Sequence, residues 1–190
     1  MTTSTVPVAT PVTVKFQDLW KNYPNSDPCV NQKTGKKAYD NQCAIRVGMA
    51  LEKSGVSFKN FVGPRCEFGP HGNGMVLRAE ALAQWLRSMP FKGCPASQVY
   101  EGKGFHKRLA GRTGIVFFKD YWTRDTDKPN SPTGDHIDLW NRDRLTPSIE
   151  TFMRFTLGIS RMPNLDPSAP GRSWYSDLEN SRQVMFWAFP

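Results

Sequence analysis

Asp40-Asn41-Gln42-Cys43-Ala44-Ile45-Arg46-Val47 is the stretch on which the reading of this chain turns. It has the form of a helix start. Asp40 or Asn41 can cap the free backbone N–H groups, and apolar Ala44, Val47 and Leu51 follow at helical spacing. A thiol in that first turn faces unpaired N–H groups and the positive end of the helix dipole, a setting in which cysteine acts as a nucleophile. Arg46, one turn on, adds a positive charge. Far downstream, Gly134-Asp135-His136-Ile137-Asp138-Leu139-Trp140 alternates like a strand, with Ile137 and Leu139 on one face and His136, Asp138 and Trp140 on the other. A helix-start cysteine and a strand histidine are the two parts of a nucleophile and base pair.

Around these two segments the chain reads as helices followed by antiparallel strands. Phe16, Leu19 and Trp20 fit one face of a first helix that ends before Tyr23-Pro24. A polar loop through Lys33-Thr34-Gly35-Lys36-Lys37 leads into the Cys43 helix, which should stop near Ser54-Gly55. After a Gly/Pro-rich loop over residues 63–74, Leu77, Ala81, Leu82 and Trp85 mark a further helix that stops by Pro90. Gly114-Ile115-Val116-Phe117-Phe118-Lys119 is the pattern of a buried strand. A long polar connection over 120–134 precedes the His136 strand, and Asn141-Arg142-Asp143-Arg144 is a hairpin turn. Thr146-Pro147-Ser148 should start a helix with Ile149, Phe152, Met153 and Leu157 on its apolar side, and Gln183 to Phe189 forms a last strand.

At 190 residues, with 38 % hydrophobic and 12 % aromatic side chains, there is enough apolar material for one core and too much for disorder. The expected organisation is a disordered Thr/Val/Pro tail over 1–13 and a single domain over 14–190. No run approaches the ~18 apolar residues of a membrane span. The first ten residues lack the basic and apolar segments of a secretory signal, so the expectation is synthesis in the cytosol and export without a cleaved leader. A net charge of +8 points to an acidic partner such as nucleic acid, a membrane surface or a carboxylate-rich cell wall. The basic residues are scattered, and no aromatic–basic platform of a nucleic-acid reader is present.

Cys29, Cys43, Cys66 and Cys94 contain no CxxC pair, which argues against a zinc site, and no other metal or cofactor is called for. Cys66 and Cys94 both lie in Pro/Gly-rich loops and could pair in an oxidising compartment. Buried free thiols are the slightly favoured reading for the three cysteines other than Cys43. His71 and His106 sit in Gly-rich loops. His136 shares its strand face with polar Asp138, which should keep the imidazole out of the apolar core.

The segments Asn41-Gln42-Cys43-Ala44-Ile45-Arg46, Gly111 to Phe118, Gly134 to Asn141 and Phe186-Trp187-Ala188-Phe189-Pro190 occur in order, and together they resemble the type VI secretion amidase effector 4 family over residues 15–190. The resemblance implies an α+β, papain-like NlpC/P60 fold, with helices packed on an antiparallel sheet. It implies a peptidoglycan amidase that cuts between D-glutamate and meso-diaminopimelate in a rival's wall. It also implies injection by the type VI apparatus, action in the periplasm of the target cell and a cognate immunity protein as partner. Cys43 is then the nucleophile and His136 the base. Lys36, Lys37, Arg46 and Trp140 are the candidates for binding substrate.

One departure stands out. The family places an acid at the end of an Arg-Leu-Thr-Asp type stretch, where this chain has Arg144-Leu145-Thr146-Pro147. Asp138 is the first candidate to orient the imidazole, although two residues of strand put it about 7 Å from His136 along the chain. Asp143 and a backbone carbonyl are the others. The rival readings are a related enzyme acting on lipid or protein amides, and a basic module that binds wall or nucleic acid with Cys43 as packing.

Overall fold

The helix that carries Cys43 is apolar on nearly every side. In the computed structural model, which describes residues 13–68, 72–123, 127–128, 131–147 and 178–190, α2 (Cys43–Lys53) buries Cys43, Ala44, Ile45, Val47, Gly48, Met49, Ala50 and Leu51. A helix hydrophobic all round belongs between layers. Ala44, Val47, Ala50 and Leu51 join the main core against the sheet, while Ile45 and Met49 face a smaller cluster with Cys29 and Met75.

Close approach makes this possible. Gly48 of α2 lies directly against Gly74 of the loop beneath it, so that a Cβ on either would fall on the other's carbonyl oxygen. The Glu52 carboxylate accepts from the N–H groups of Asn73 (2.8 Å) and Gly74 (3.0 Å), fixing the helix's last turn to the same loop.

Helix α1 (Phe16–Asn22) and α3 (Ala79–Arg87) flank α2. The sheet is antiparallel, in the order β1-β5-β2-β3-β4: β1 (Gln98–Tyr100), β2 (Arg112–Trp122), β3 (Gly134–Arg142), β4 (Arg144–Leu145) and β5 (Gln183–Ala188). Ile115, Phe117, Ile137, Leu139, Met185 and Trp187 face the helices. Val116, Phe118, Trp140, Val184 and Phe186 face a second core with Phe105 and Leu109 of the short helix α4 (Phe105–Leu109). This is an α+β architecture.

The first helix, the Cys43 helix and its stop at Ser54, the Trp85 helix, both long strands, the turn at Arg142 and the last strand occur where the sequence places them. Two differences follow from length. β1 and α4 have three and five residues, too few to set up a hydrophobic period, and they interrupt the helices-then-strands order. The expected helix from Ser148 through Leu157 lies outside the described residues.

Gly48→Ala tests the seating of α2. Alanine favours an isolated helix by ~1 kcal/mol over glycine, yet here its methyl meets the Gly74 carbonyl. Overpacking of this kind costs about 1–3 kcal/mol. The urea midpoint of Gly48→Ala should therefore fall rather than rise.

Candidate active site

Cys43 is the first residue of α2 and keeps only 8 % of its surface exposed. The helix start is capped from Asn41, whose side-chain Oδ1 accepts the Cys43 N–H at 3.1 Å. Asp40 plays no part in the cap. It is exposed and pairs with Lys37 at 3.1 Å.

His136 comes from β3, where it is 1 % exposed, and Cys43 lies near enough to influence its proton affinity. Its expected place outside the apolar core is not what the structure has. Both faces of β3 are covered, and the imidazole packs nearly parallel to Phe118, 6.3 Å between centroids, and edge-on to Tyr121 at 6.4 Å. A β-bulge builds that wall. Pairing jumps from Phe118↔His136 to Trp122↔Gly134, so β2 carries two more residues than β3 between these pairs. Asp120 in the bulge has φ +53°, and its N–H is held by Asp135 Oδ1 at 3.0 Å. Burial raises the Asp135 carboxyl above its ordinary range.

Asp138 meets the ring from the same strand face. Its Oδ2 lies 3.5 Å from His136 Nε2, so the two side chains lean together across the strand rise. Its Oδ1 accepts from the Leu139 N–H and from the Thr146 hydroxyl, both at 2.7 Å. Pro147 thus follows the residue that secures the buried acid. Asp143, by contrast, is exposed in the β3–β4 turn, about 17 Å beyond Asp138 along the strand at ~3.3 Å per residue.

The electrostatics follow from this packing. Burial opposes a charged imidazole, but the neighbouring Cys43 and the Asp138 carboxylate that faces the ring outweigh it and lift the His136 pKa to about 9. A thiol, an imidazole and a carboxylate in a row, closed off from water, are equipped for nucleophilic acyl transfer. Among the described residues no cluster of His, Cys, Asp and Glu could hold a metal.

A family model, type VI secretion system (T6SS) amidase effector protein 4 (Tae4), matches residues 39–187. The chain belongs to the Tae4 family. It is accordingly a type VI secretion amidase effector. The matched interval begins four residues before Cys43 and runs almost to the end of β5, so it contains the whole constellation. The fold is similar to that of a chain in the structure of the effector–immunity system Tae4/Tai4 from Salmonella typhimurium, with a TM-score of 0.55, 16 % identity, and 95 % of this chain and 99 % of that one covered. No curated protein matches.

Of the residues expected to bind substrate, Lys36 and Lys37 are exposed on a small hairpin joined by the Val30↔Lys37 bridge, just ahead of the Tae4 interval. Arg46 is committed elsewhere, to Asp27 Oδ1 (2.7 Å) and the Pro24 carbonyl (2.8 Å). Trp140 is 0 % exposed in the second core, its Nε1–H donating to the Leu109 carbonyl at 2.9 Å, so it cannot reach a ligand. A polar hollow of about 570 Å³ between α1, residues 23–32 and the far end of α2 contains neither Cys43 nor His136.

The cysteine pairing also differs from expectation. Cys29 is bonded to Cys66, with a Cα–Cα distance of 6.2 Å, and Cys43 and Cys94 are free. Cys94 belongs to the main core and Cys66 to the smaller cluster, which is why those two do not meet. Burial pushes the Cys94 thiol up to about 12, leaving it inert. Thr146, Tyr121 and Gln42 were not singled out from sequence. Only Gln42, next to the cysteine, carried any signal there.

The His136 imidazole should titrate near pH 9 by NMR. A folded pKa above the ordinary ~6.5 stabilises the fold fully below that value and loses its contribution as pH rises through 9. In Cys43→Ala the influence of the sulfur on the imidazole is gone while burial remains, so the midpoint should drop. An unchanged midpoint would mean the two side chains are not coupled.

Proposed function

We propose that this effector is an NlpC/P60-like, papain-related cysteine amidase that hydrolyses peptidoglycan stem peptides. The observation that carries the proposal is that a helix-start Cys43 and a buried His136 interact electrostatically, with buried Asp138 3.5 Å from the imidazole, in a member of an amidase effector family. The bond cut is that between D-glutamate and meso-diaminopimelate. The site of action is the periplasm of a recipient bacterium, reached by way of the type VI apparatus, and a cognate immunity protein protects the producer.

The chemistry is two acyl transfers. The Cys43 sulfur attacks the amide carbonyl carbon, and the electron pair of the C=O bond moves onto oxygen. N–H groups at the start of α2 receive that oxyanion. The Cys43 N–H must exchange Asn41 Oδ1 for it. Such a donor is worth ~3 kcal/mol of barrier. Protonated His136 then gives its proton to the leaving amine, and the C–N bond breaks to leave a thioester. Water attacks the thioester as His136 takes its proton, the C–S bond breaks, and a free carboxylate departs. With Nε2 turned to Asp138, Nδ1 is the ring atom that serves the sulfur. No metal or cofactor enters. The basic net charge suits a wall rich in carboxylates, and exposed Lys36 and Lys37, the latter paired with Asp40, lie on a hairpin where they could meet them.

Purified sacculi digested with the protein should release muropeptides whose masses report cleavage after D-glutamate. Cys43→Ala and His136→Ala should each abolish that release, and the double variant should be no slower, since nucleophile and base act as one unit. Sacculi left intact while lipid or protein amides are cleaved would move the enzyme to another substrate.

Asp138→Asn should lower turnover by at least ~10², because an acid that orients imidazole and steadies its cation contributes up to ~10⁴. Asp143→Asn should be nearly silent. The reverse pattern in steady-state rates would remove Asp138 from the mechanism.

A further inference from the structure

The residue before the nucleophile is tied to the disulfide. Gln42 is 3 % exposed, and its side-chain amide is spent on backbone: Oε1 accepts the Cys29 N–H at 2.7 Å, and Nε2 donates to the carbonyls of Cys29 (2.9 Å) and Tyr39 (3.2 Å). Both Nε2 protons are thereby used, and the amide has one workable orientation. At Gln42 the chain turns into α2, since its carbonyl accepts the first helical bond from Arg46 at 3.0 Å. The direction in which Cys43 leaves the helix start is therefore set by where Cys29 stands.

Cys29 in turn is held by Cys66. Cys66 lies in the loop beneath α2, where its N–H donates to the Met75 carbonyl at 2.8 Å and Arg65 bridges Val76. That loop also grips the far end of the helix through Glu52 and Gly74. One covalent link thus joins the holder of the nucleophile's end of α2 to the holder of its other end. Opening the link leaves Cys29 held by the Ala38 N–H, the Gln42 amide, its packing on Ile45 and Met49, and the Arg46 clamp on Pro24 and Asp27 just upstream, with no tie among the described residues to the loop beneath α2 stronger than packing.

We infer that Gln42 is a positioning residue for Cys43 and that it acts through the Cys29–Cys66 disulfide, so that the effector with this bond open is a poor catalyst even when folded. This rests on the reading of Cys43 as nucleophile. The bond closes when a Cys29 or Cys66 thiolate attacks a disulfide-bearing oxidant and the second thiolate displaces the resulting mixed disulfide. The second thiolate's attack on that mixed disulfide expels the oxidant's other sulfur, and the oxidant leaves as a dithiol that carries the two electrons and, by way of solvent, the two protons given up by Cys29 and Cys66. A reducing cytosol keeps such pairs open and an oxidising periplasm closes them. Turnover is accordingly low in the compartment of synthesis and full where wall is present.

The test compares oxidised wild type, Cys29→Ser/Cys66→Ser and Gln42→Glu, which keeps the acceptor and the disulfide but loses the Nε2 donors. Fold is checked by near-UV circular dichroism and by continued protection of Cys94. Two readouts are taken: kcat and KM on sacculus fragments, and the rate of iodoacetamide attachment at Cys43 by peptide mass spectrometry. The double Ser variant and Gln42→Glu should each lose at least ~10-fold in kcat with KM within ~2-fold, and each should change the Cys43 alkylation rate. Combining them should add little further, as expected of residues acting through one contact. Wild-type kcat and alkylation in either folded variant, with only a lowered melting temperature, would overturn the inference. If the double Ser variant does not fold, Gln42→Glu alone decides by the same two readouts. Redox-dependent alkylation of Cys43 without wall hydrolysis in any state would retain the positioning role and reject the amidase reading.

Discussion

Two backbones in contact decide where the nucleophile stands. Gly48 and Gly74 leave no room for a side chain between α2 and the loop below it, and that approach lets α2 sit between the sheet and the small Cys29–Met75 cluster. Glu52 then locks the helix's end and Asn41 its beginning. With its axis so constrained, α2 brings its first residue to β3.

Beside that helix the sheet shelters ionisable groups from water. Charges so deeply buried persist only when they are paired and hydrogen-bonded. Asp138 meets the condition through the Leu139 N–H, the Thr146 hydroxyl and the imidazole, and His136 through Asp138 and Cys43. The bulge supplies the dry wall by bringing Tyr121 against the ring. The raised proton affinity of His136 is the net result of this burial and of its two neighbours, Asp138 and Cys43.

The long periodic segments were legible because their hydrophobic spacing is set by the element itself. Cys43 at a helix start and His136 on a strand were legible for the same reason. Three things were not. Alternation along β3 suggests one wet face, but Phe105 and Leu109 cover it from a helix too short to recognise. Trp140 and Arg46 were drawn toward substrate by their types, while one is packed in the second core and the other is bound to Asp27. The disulfide joins cysteines 37 residues apart, and which pair meets depends on the two clusters on either side of α2. Thr146 supports Asp138 only because β4 folds back along β3, a tertiary fact with no local signature.

Strand β5 sits in the interior of the sheet, between β1 and β2, although it is the last of the described strands along the chain. About 40 residues separate the end of β3 from its beginning. At ribosomal speeds of ~5–20 residues per second, the β2–β3 hairpin waits roughly 2–8 s for its other neighbour. During that interval β2 presents an open edge of Ile115, Val116, Phe117 and Phe118, an invitation to pair with another nascent chain. The molecule is thus built to finish late. Slower translation lengthens that exposure, and a stop codon or frameshift anywhere before residue 183 leaves a chain without one of the interior strands of its sheet.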